Sequence, residues 1–372
     1  MPINQHLVIV CPLDWGLGHA SRMIPVIDHF MACGYRVILG GSGKSGELLK
    51  KAFPKLSFIQ IPSPAIRYTG KGAWLIPSLV LQLPKMLFSA IREHYLIKKI
   101  VFANGVDIIV SDNRYGLFCK HAHSVIVTHQ ISPVLPPMLR WAEYPLYFVI
   151  RTILLQFNEC WIPDYADAQQ NLSGKLSHRF RLPKNARFVG LLSRFNQKNV
   201  PKERPSSEKY ELVVVLSGPE PQLGIFYDLI IRQVLAIPYK TLVISGLREI
   251  PNRLPETHHS QLTIVSHLEP GQFGYAMLHA DIIVCRSGYS GIMDLVALGK
   301  TAILVPTPGQ TEQQYLARYL SKKGWFSCLT QHELCLGYVM KNKENRLSSC
   351  RKFNLNGCEE LLIAPVSNDK NR

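Results

Sequence analysis

The sequence predicts an α/β protein of two parallel-sheet domains in tandem, and three observations lead there. Short β-branched runs alternate with stretches of helical apolar period, the alternation occurs twice, and a polar segment separates the two series. At 372 residues, 47% apolar and 18% charged, the chain is too long for one ordinary core and long enough for two.

In the first series, strands are expected at Leu7 to Val10, Arg36 to Leu39, Phe58 to Ile61, Asp107 to Ser111 and Ser124 to Thr128. Near residue 190 "SRFNQKNVPKERPSSEKY" interrupts the rhythm with polar residues and proline and no apolar period. The expected boundaries are therefore 1–195 for the first domain, 196–209 for a linker, 210–345 for the second domain and 346–372 for a last helix and tail. The second series reads "YELVVVLSG", "KTLVISG", "LTIVSHL", "ADIIVCRSG" and "TAILVPTPG", each apolar run passing into a turn with Gly or Ser. Two such sheets would face each other across a cleft at their strand C-terminal ends, where open α/β sheets take ligands.

Composition narrows the partners. With 42 Lys and Arg against 26 Asp and Glu, the net charge of +16 favours anionic partners such as nucleotides or acidic headgroups. Nucleic acid is not expected, because the basic residues are dispersed and no recognition motif appears. The nine cysteines show no C-x-x-C pair or Cys/His cluster, which speaks against a disulfide framework or structural zinc and for reduced, mostly buried thiols. The N-terminus passes into a strand without the pattern of a secretory signal, so a cytoplasmic location is expected. Two apolar stretches, 72–91 and 135–157, are broken by Pro77, Pro84, Lys85, Arg140, Glu143 and Arg151, and neither reads as a membrane span. They are either core-facing helices or surfaces that lay Trp74, Leu75 or Trp141 on a bilayer, the second giving a peripheral protein on the inner face of the cytoplasmic membrane.

Several loops could carry chemistry. "GGSGKS" (40–45) lacks the first glycine of a Walker loop, since Ile38 stands there. "GLGHAS" lacks the third glycine of a dinucleotide fingerprint, since Ser21 stands there. It is still a strand-to-helix turn in which Gly16 and Gly18 allow close backbone approach, and Met23, Val26, Ile27, Phe30 and Met31 form a helical stripe ending at Gly34. His19 then sits beside a helix N-terminus, whose positive end favours the neutral ring that can accept a proton. In the second half, "CRSGYSGIMDLVALG" (285–299) repeats the pattern, so backbone N–H groups near Ser287, Gly288, Ser290 and Gly291 suit a diphosphate, with Arg286 as a complementary charge. Asp294, about one turn into that helix, could accept ribose hydroxyls. Thr311, Glu312, Gln313 and Gln314 stand at the next strand-to-helix junction, an array suited to sugar hydroxyls or simply a solvated first turn.

Taken together, "DIIVCRSGYSGIMDLVALGKTAILVPTPGQTEQQYLARYLSKKG" (281–324), "GLGHASR" and "VTHQISP" (127–133) resemble the glycosyltransferases of family 28, which have the GT-B fold of two Rossmann-like domains. The resemblance implies that His19 is the base or an acceptor-side residue, that the Ser287 to Gly291 turn holds a UDP diphosphate, that Asp294 meets the ribose, and that Gln313 and Gln314 meet the donor sugar. Ser217 and Gly218 of "SGPEP" stand where the family has a phosphate-side "GGS-x-G" loop, and His129 and Gln130 stand in its second acceptor-side loop. "GxGHxxR", completed by Arg22, is also the loop of the nucleotide-sugar hydrolases of pseudaminic acid synthesis.

The expected reaction is an inverting transfer of a hexosyl or N-acetylhexosaminyl group from a UDP-sugar to an acceptor hydroxyl on a sugar or lipid-linked acceptor, in the manner of cell-envelope glycan synthesis. His19 or Asp112 of "VSDNRYG" would take the proton, and the second-domain helix would steady the leaving diphosphate without a metal or other cofactor. The alternatives are hydrolysis or epimerisation of a UDP-sugar without an acceptor, and nucleotide-sugar binding without catalysis.

Overall fold

The structure, a computed structural model, describes residues 6–63, 75–195, 209–247 and 261–343, with the side chains of 75–81 and 83 set aside. The expected linker at 196–209, apart from Lys209, and the expected tail at 346–372 lie outside the described residues, as do Trp74 and the side chain of Leu75. The chain forms two compact units, with the changeover between Arg194 and Phe195.

The first unit runs β1 (Leu7–Pro12), α1 (Leu17–Ala32), β2 (Arg36–Gly41), α2 (Gly43–Ala52), β3 (Ser57–Gln60), α3 (Leu75–Asn104), β4 (Ile108–Asp112) and β5 (His123–Val127). A 3-10 turn (Pro137–Ala142) follows, then α4 (Glu143–Leu154), β6 (Glu159–Ile162), α5 (Lys175–His178) and β7 (Ala186–Phe188). The seven strands pair in parallel in the order β3-β2-β1-β4-β5-β6-β7. β1 lies inside the sheet, between β2 and β4. Its unbroken run Val8-Ile9-Val10 suits a position covered on both faces, where alternation with polar residues would bury the polar ones. Val8 and Val10 pack with Met23, Val26, Ile27 and Phe30 of α1, while Ile9 and Cys11 join Ile97, Ile100 and Val101 of α3. Met31, at the edge of the expected stripe, is exposed instead. Past the helix end, Gly34 takes the left-handed φ of 81° that closes it.

The second unit runs β8 (Leu212–Val215), α6 (Gln222–Val234), β9 (Thr241–Ile244), β10 (Leu262–Val265), α7 (Pro270–His279), β11 (Ile282–Cys285) and α8 (Tyr289–Ala297). β12 (Ile303–Leu304), α9 (Thr311–Lys322), β13 (Ser327–Cys328) and α10 (Leu336–Lys341) complete it. Its six strands are also parallel, in the order β10-β9-β8-β11-β12-β13.

The two apolar stretches divide their faces. In 135–157, Tyr147, Leu154 and Phe157 enter a core with Ile126, Cys160 and Ile162, whereas Met138 and Trp141 are 89% and 75% exposed, and Tyr144, Phe148 and Val149 are exposed with them. α3 likewise buries Ile97, Ile100 and Val101 and exposes Leu87, Phe88, Ile91, Tyr95 and Phe102. No described helix is long and apolar enough to cross a membrane. Among the described residues the cysteines are all free, with Cys11, Cys119, Cys160 and Cys285 buried, and Cys33 and Cys335 exposed against expectation.

Candidate active site

In the first sheet the strand order reverses between β1 and β4, so the loops leaving their C-terminal ends part and make room for a ligand. Pro12 and Asp112, the last residues of the two strands, are register partners there. Gly16 is the N-cap of α1 with φ 147°, a backbone setting open to glycine, and a side chain on it would meet nothing within 4 Å. Gly18 is the second helical residue, and its carbonyl accepts from Ser21 Oγ at 3.0 Å. His19, the third, is partly exposed, and its Nδ1 lies 3.1 Å from Asp112 Oδ2.

Behind it lies a buried ion pair. Arg22, one turn along α1, donates from Nε to Asp112 Oδ2 at 2.9 Å and from Nη2 to Oδ1. Nη2 also lies 3.0 Å from His19 Nδ1, and Nη1 lies 3.4 Å from Nδ1 of His129. Both charged groups are almost wholly inaccessible. Burial alone would push the Asp112 carboxyl up, but the charges and hydrogen bonds of Arg22 and His19 hold it below the ordinary carboxylate range. Asp112, which the sequence offered beside His19 as a proton acceptor, thus has no exposed surface of its own. It is sealed behind His19 and oriented toward it. Burial pushes the nearby Tyr115 phenol up to about 12, so it stays neutral. His129 is buried as well, and its carbonyl accepts from Ser177 Oγ at 2.6 Å, which makes the short α5 a support for that loop. Gln130 is half-buried, with its N–H donating to Thr128 Oγ1 at 3.1 Å.

The glycine-rich "GGSGKS" turn opens α2, whose Ser45 amide is already answered. Asp14 Oδ1 accepts from the Ser45 N–H at 3.0 Å, and Ser45 Oγ donates to the carbonyls of Leu13 and Gly16. A carboxylate of the chain thus sits where a phosphate would, and the loop is no Walker loop.

In the second sheet the order reverses between β8 and β11. After β8, Ser217 and Gly218 are exposed, but the residues that follow leave little for a phosphate. Pro219 and Pro221 have no N–H, and Glu220 Oε2 accepts from the Gly224 N–H at 3.1 Å, placing a carboxylate on the first turn of α6. After β11 the situation is opposite. α8 has no side-chain cap and no acid in its first turn, and a side chain at Gly288 or Gly291 would meet open space. Ser290, Gly291 and Asp294 share one face by their three- and four-residue spacing, Asp294 being largely buried. Ser287 Oγ donates to the Gln313 carbonyl at 2.9 Å, tying this turn to α9. The side chain of Gln313 turns back on the β12–α9 loop, where its Oε1 accepts from the Thr307 N–H at 2.9 Å. Gln314 is half-buried in the first turn of α9.

Arg286, expected beside this turn as a complementary charge, is buried, lies over the Phe226 ring 3.7 Å from the centroid, and donates to the carbonyls of Val305 and Pro306 and to Gln331 Oε1. Burial lowers its pKa to about 9, which leaves it charged at neutral pH and bound inward by carbonyl dipoles. It joins the loops around the β11 end. Among the described residues no three His, Cys, Asp or Glu side chains gather so as to hold a metal ion.

Sequence reasoning did not assign Arg22 a role, although its position three residues after His19 puts both on one face of α1. Ser177, Gln331 and Phe226 carry no local signal at all.

The fold and part of the second unit's sequence have counterparts in known proteins. Residues 256–351 match the glycosyltransferase family 28 C-terminal domain. The chain is 24% identical to an uncharacterized glycosyltransferase of Methanosarcina acetivorans over 97% of its length and 93% of that protein. It is 29% identical to the UDP-N-acetylglucosamine--N-acetylmuramyl-(pentapeptide) pyrophosphoryl-undecaprenol N-acetylglucosamine transferase of Verminephrobacter eiseniae over 43% of this chain and 47% of that one. Among solved structures it is similar to the glycotransferase of kitacinnamycin (TM-score 0.63, 15% identity, covering 94% of this chain and 95% of that one). It is also similar to MurG of Acinetobacter baumannii (TM-score 0.53, 13% identity, covering 93% of each).

Proposed function

We propose that the chain, which has the GT-B fold and whose residues 256–351 match the family 28 C-terminal domain, is a glycosyltransferase that moves a hexosyl or N-acetylhexosaminyl group from a UDP-sugar to a hydroxyl of a lipid-linked acceptor, with inversion. The observation that carries the reading is the position of the family match, which covers the uncapped N-terminus of α8 and the α9 junction.

In this reading the amides of α8 take the donor diphosphate, Asp294 takes the ribose, and the α9 junction at Gln313 and Gln314 takes the sugar. Ser217 and Gly218 contribute space more than charge, given the carboxylate beside them. On the first unit, His19 presents Nε2 to the acceptor hydroxyl, with Asp112 behind Nδ1, and the His129 and Gln130 loop lines the acceptor side. The hydroxyl proton passes to Nε2 as the oxygen attacks the anomeric carbon from the face opposite the diphosphate. The bond from that carbon to the diphosphate oxygen breaks, and the departing charge falls on fixed helix amides. That scheme needs no metal. The lipid-linked acceptor is supported by the exposed apolar faces of α3 and of the 137–149 segment, which carry Lys85, Arg92, Lys99 and Arg140 among their aromatics.

The test uses labelled UDP-N-acetylglucosamine with and without N-acetylmuramyl-(pentapeptide) pyrophosphoryl-undecaprenol, the acceptor in the name of the Verminephrobacter eiseniae relative. Transfer that requires the acceptor is expected, and replacing His19 with Ala is expected to lower kcat by about 10²- to 10⁴-fold while UDP binding persists. Release of free sugar at the same rate without acceptor would replace transfer by hydrolysis, and undiminished turnover in His19→Ala would remove His19 from the mechanism.

A further inference from the structure

We propose that Asp14 and Ser45 form a clasp that sets the direction of the β1–α1 turn, and that Ser45 is thereby a positioning residue for His19. This rests on His19 being the proton acceptor of the proposed reaction.

The turn from Leu13 to Gly16 has little of its own to direct it. It leaves β1 at Pro12 and enters α1 at Leu17. Gly16 closes it with φ 147°, a region in which glycine moves freely, and a side chain there would meet nothing within 4 Å. No side chain caps α1. The later turns of the helix are fixed in the core by Met23, Val26, Ile27 and Phe30, but the first is not: Leu17 is exposed and Gly18 has no side chain to pack. The direction in which this first turn leaves the strand is therefore set by contacts from outside it, and the ring of His19 follows that direction.

Ser45, the third residue of α2, supplies such contacts to three of the four turn residues. It is wholly buried, its N–H donates to Asp14 Oδ1 at 3.0 Å, and its Oγ stands 3.1 Å from the Leu13 carbonyl and 3.3 Å from that of Gly16. A hydroxyl has one proton, so the two carbonyls share it, and the first and last residues of the turn are held to one point. The start of the turn is anchored independently: the Leu13 N–H donates to the Asp112 carbonyl at 3.1 Å, and the Asp14 N–H to Ser63 Oγ at 3.3 Å. Gly43 keeps room for the clasp, since a Cβ there would run into Asp14 Oδ2. The glycine-rich 40–45 stretch thus seats the turn that presents His19, where a Walker loop would seat a phosphate.

The test is a double-mutant cycle on kcat in the full-length protein, with donor and acceptor saturating. Ser45→Ala is expected to lower kcat about tenfold or more, the scale of a displaced reacting group, with the KM for the UDP-sugar within about twofold of wild type. In a His19→Ala background the same substitution is expected to lower kcat by less than about twofold, because a residue that acts through His19 then has nothing left to position. Losses of equal size in both backgrounds would overturn the proposal and leave the clasp a role in folding alone. So would wild-type kcat in Ser45→Ala. Asp14→Ala, a change at a partly exposed side chain that leaves the Ser45 hydroxyl in place, is expected to give the same pattern and carries the test if Ser45→Ala does not fold. A second measurement needs no turnover: in NMR of the histidine-labelled protein, the His19 ring signals, assigned by His19→Gln, should move in Ser45→Ala while those of His123 and His279 stay. Unmoved His19 signals would overturn the proposal. Undiminished turnover in His19→Ala would instead defeat the reading on which the inference rests.

Discussion

Asp112 and Glu159 are both carboxylates of the first sheet, and their surroundings give them different work. Glu159, at the start of β6, stands 2.9 Å from His123 Nε2 and accepts from Trp161 Nε1 at 2.7 Å and Arg187 Nε at 2.9 Å. The hydrogen bond to His123 leads, burial opposes, and together with Trp161 and Arg187 it brings the carboxyl from 4.5 to about 2. A carboxyl held below its unfolded value stabilises the fold fully above the unfolded value and loses that contribution as pH falls through the folded one. Thermal unfolding followed from pH 6 to pH 2 should therefore show stability draining below about 4.5, and Glu159→Gln should flatten that slope. A slope unchanged by the substitution would place the acid sensitivity elsewhere. Sequence could suggest His19, because a glycine turn between strand and helix presents whatever follows it. It could not orient Arg286, since what turns that side chain inward is Phe226 from far upstream and Gln331 from downstream, neither in any fixed spacing to it.

The same contrast holds for whole elements. Strands built on apolar runs, such as β1, β4, β5 and β11, declare themselves by composition. β6 (ECWI), β7 (ARF) and β13 (SC) do not, because they are short and mixed and owe their pairing to strands already in place. Helix N-termini are legible as turns but not as ligand sites, since what caps them comes from elsewhere. α6 and α8 leave neighbouring strands of the second sheet, yet the carboxylate of Glu220, just before α6, accepts from a first-turn amide of that helix, and α8 has neither a side-chain cap nor a first-turn acid. Glu220→Gln keeps a hydrogen-bond acceptor while removing the charge, and should tighten UDP binding roughly two- to fivefold at low salt, the scale of a helix-end charge. Calorimetric titration at two ionic strengths checks this: an affinity unaltered at low salt would mean that the diphosphate does not sense the end of α6.

On the scale of the whole molecule, +16 of net charge accompanies aromatic and aliphatic side chains left in solvent on the first unit. An apolar face of this kind, mixed with basic residues, suits the anionic surface on which a lipid-linked acceptor is carried. Co-sedimentation with vesicles containing phosphatidylglycerol should succeed and weaken with salt. The pair Trp141→Ser, Met138→Ser should reduce it at least several-fold without lowering turnover of a water-soluble acceptor analogue. Equal binding to neutral vesicles, or none to anionic ones, would leave those side chains without that role. The strand orders bear on descent as well. No strand of β1 to β7 is shared with β8 to β13, and each sheet closes over its own core. On the proposed assignment of the donor to the second unit and of the base to the first, the choice of nucleotide sugar and the machinery for accepting a proton would be inherited on separate stretches of gene. Recombination near residue 195 would then exchange one specificity while leaving the other intact, a route by which a lineage of such enzymes would acquire new products without first losing the old chemistry.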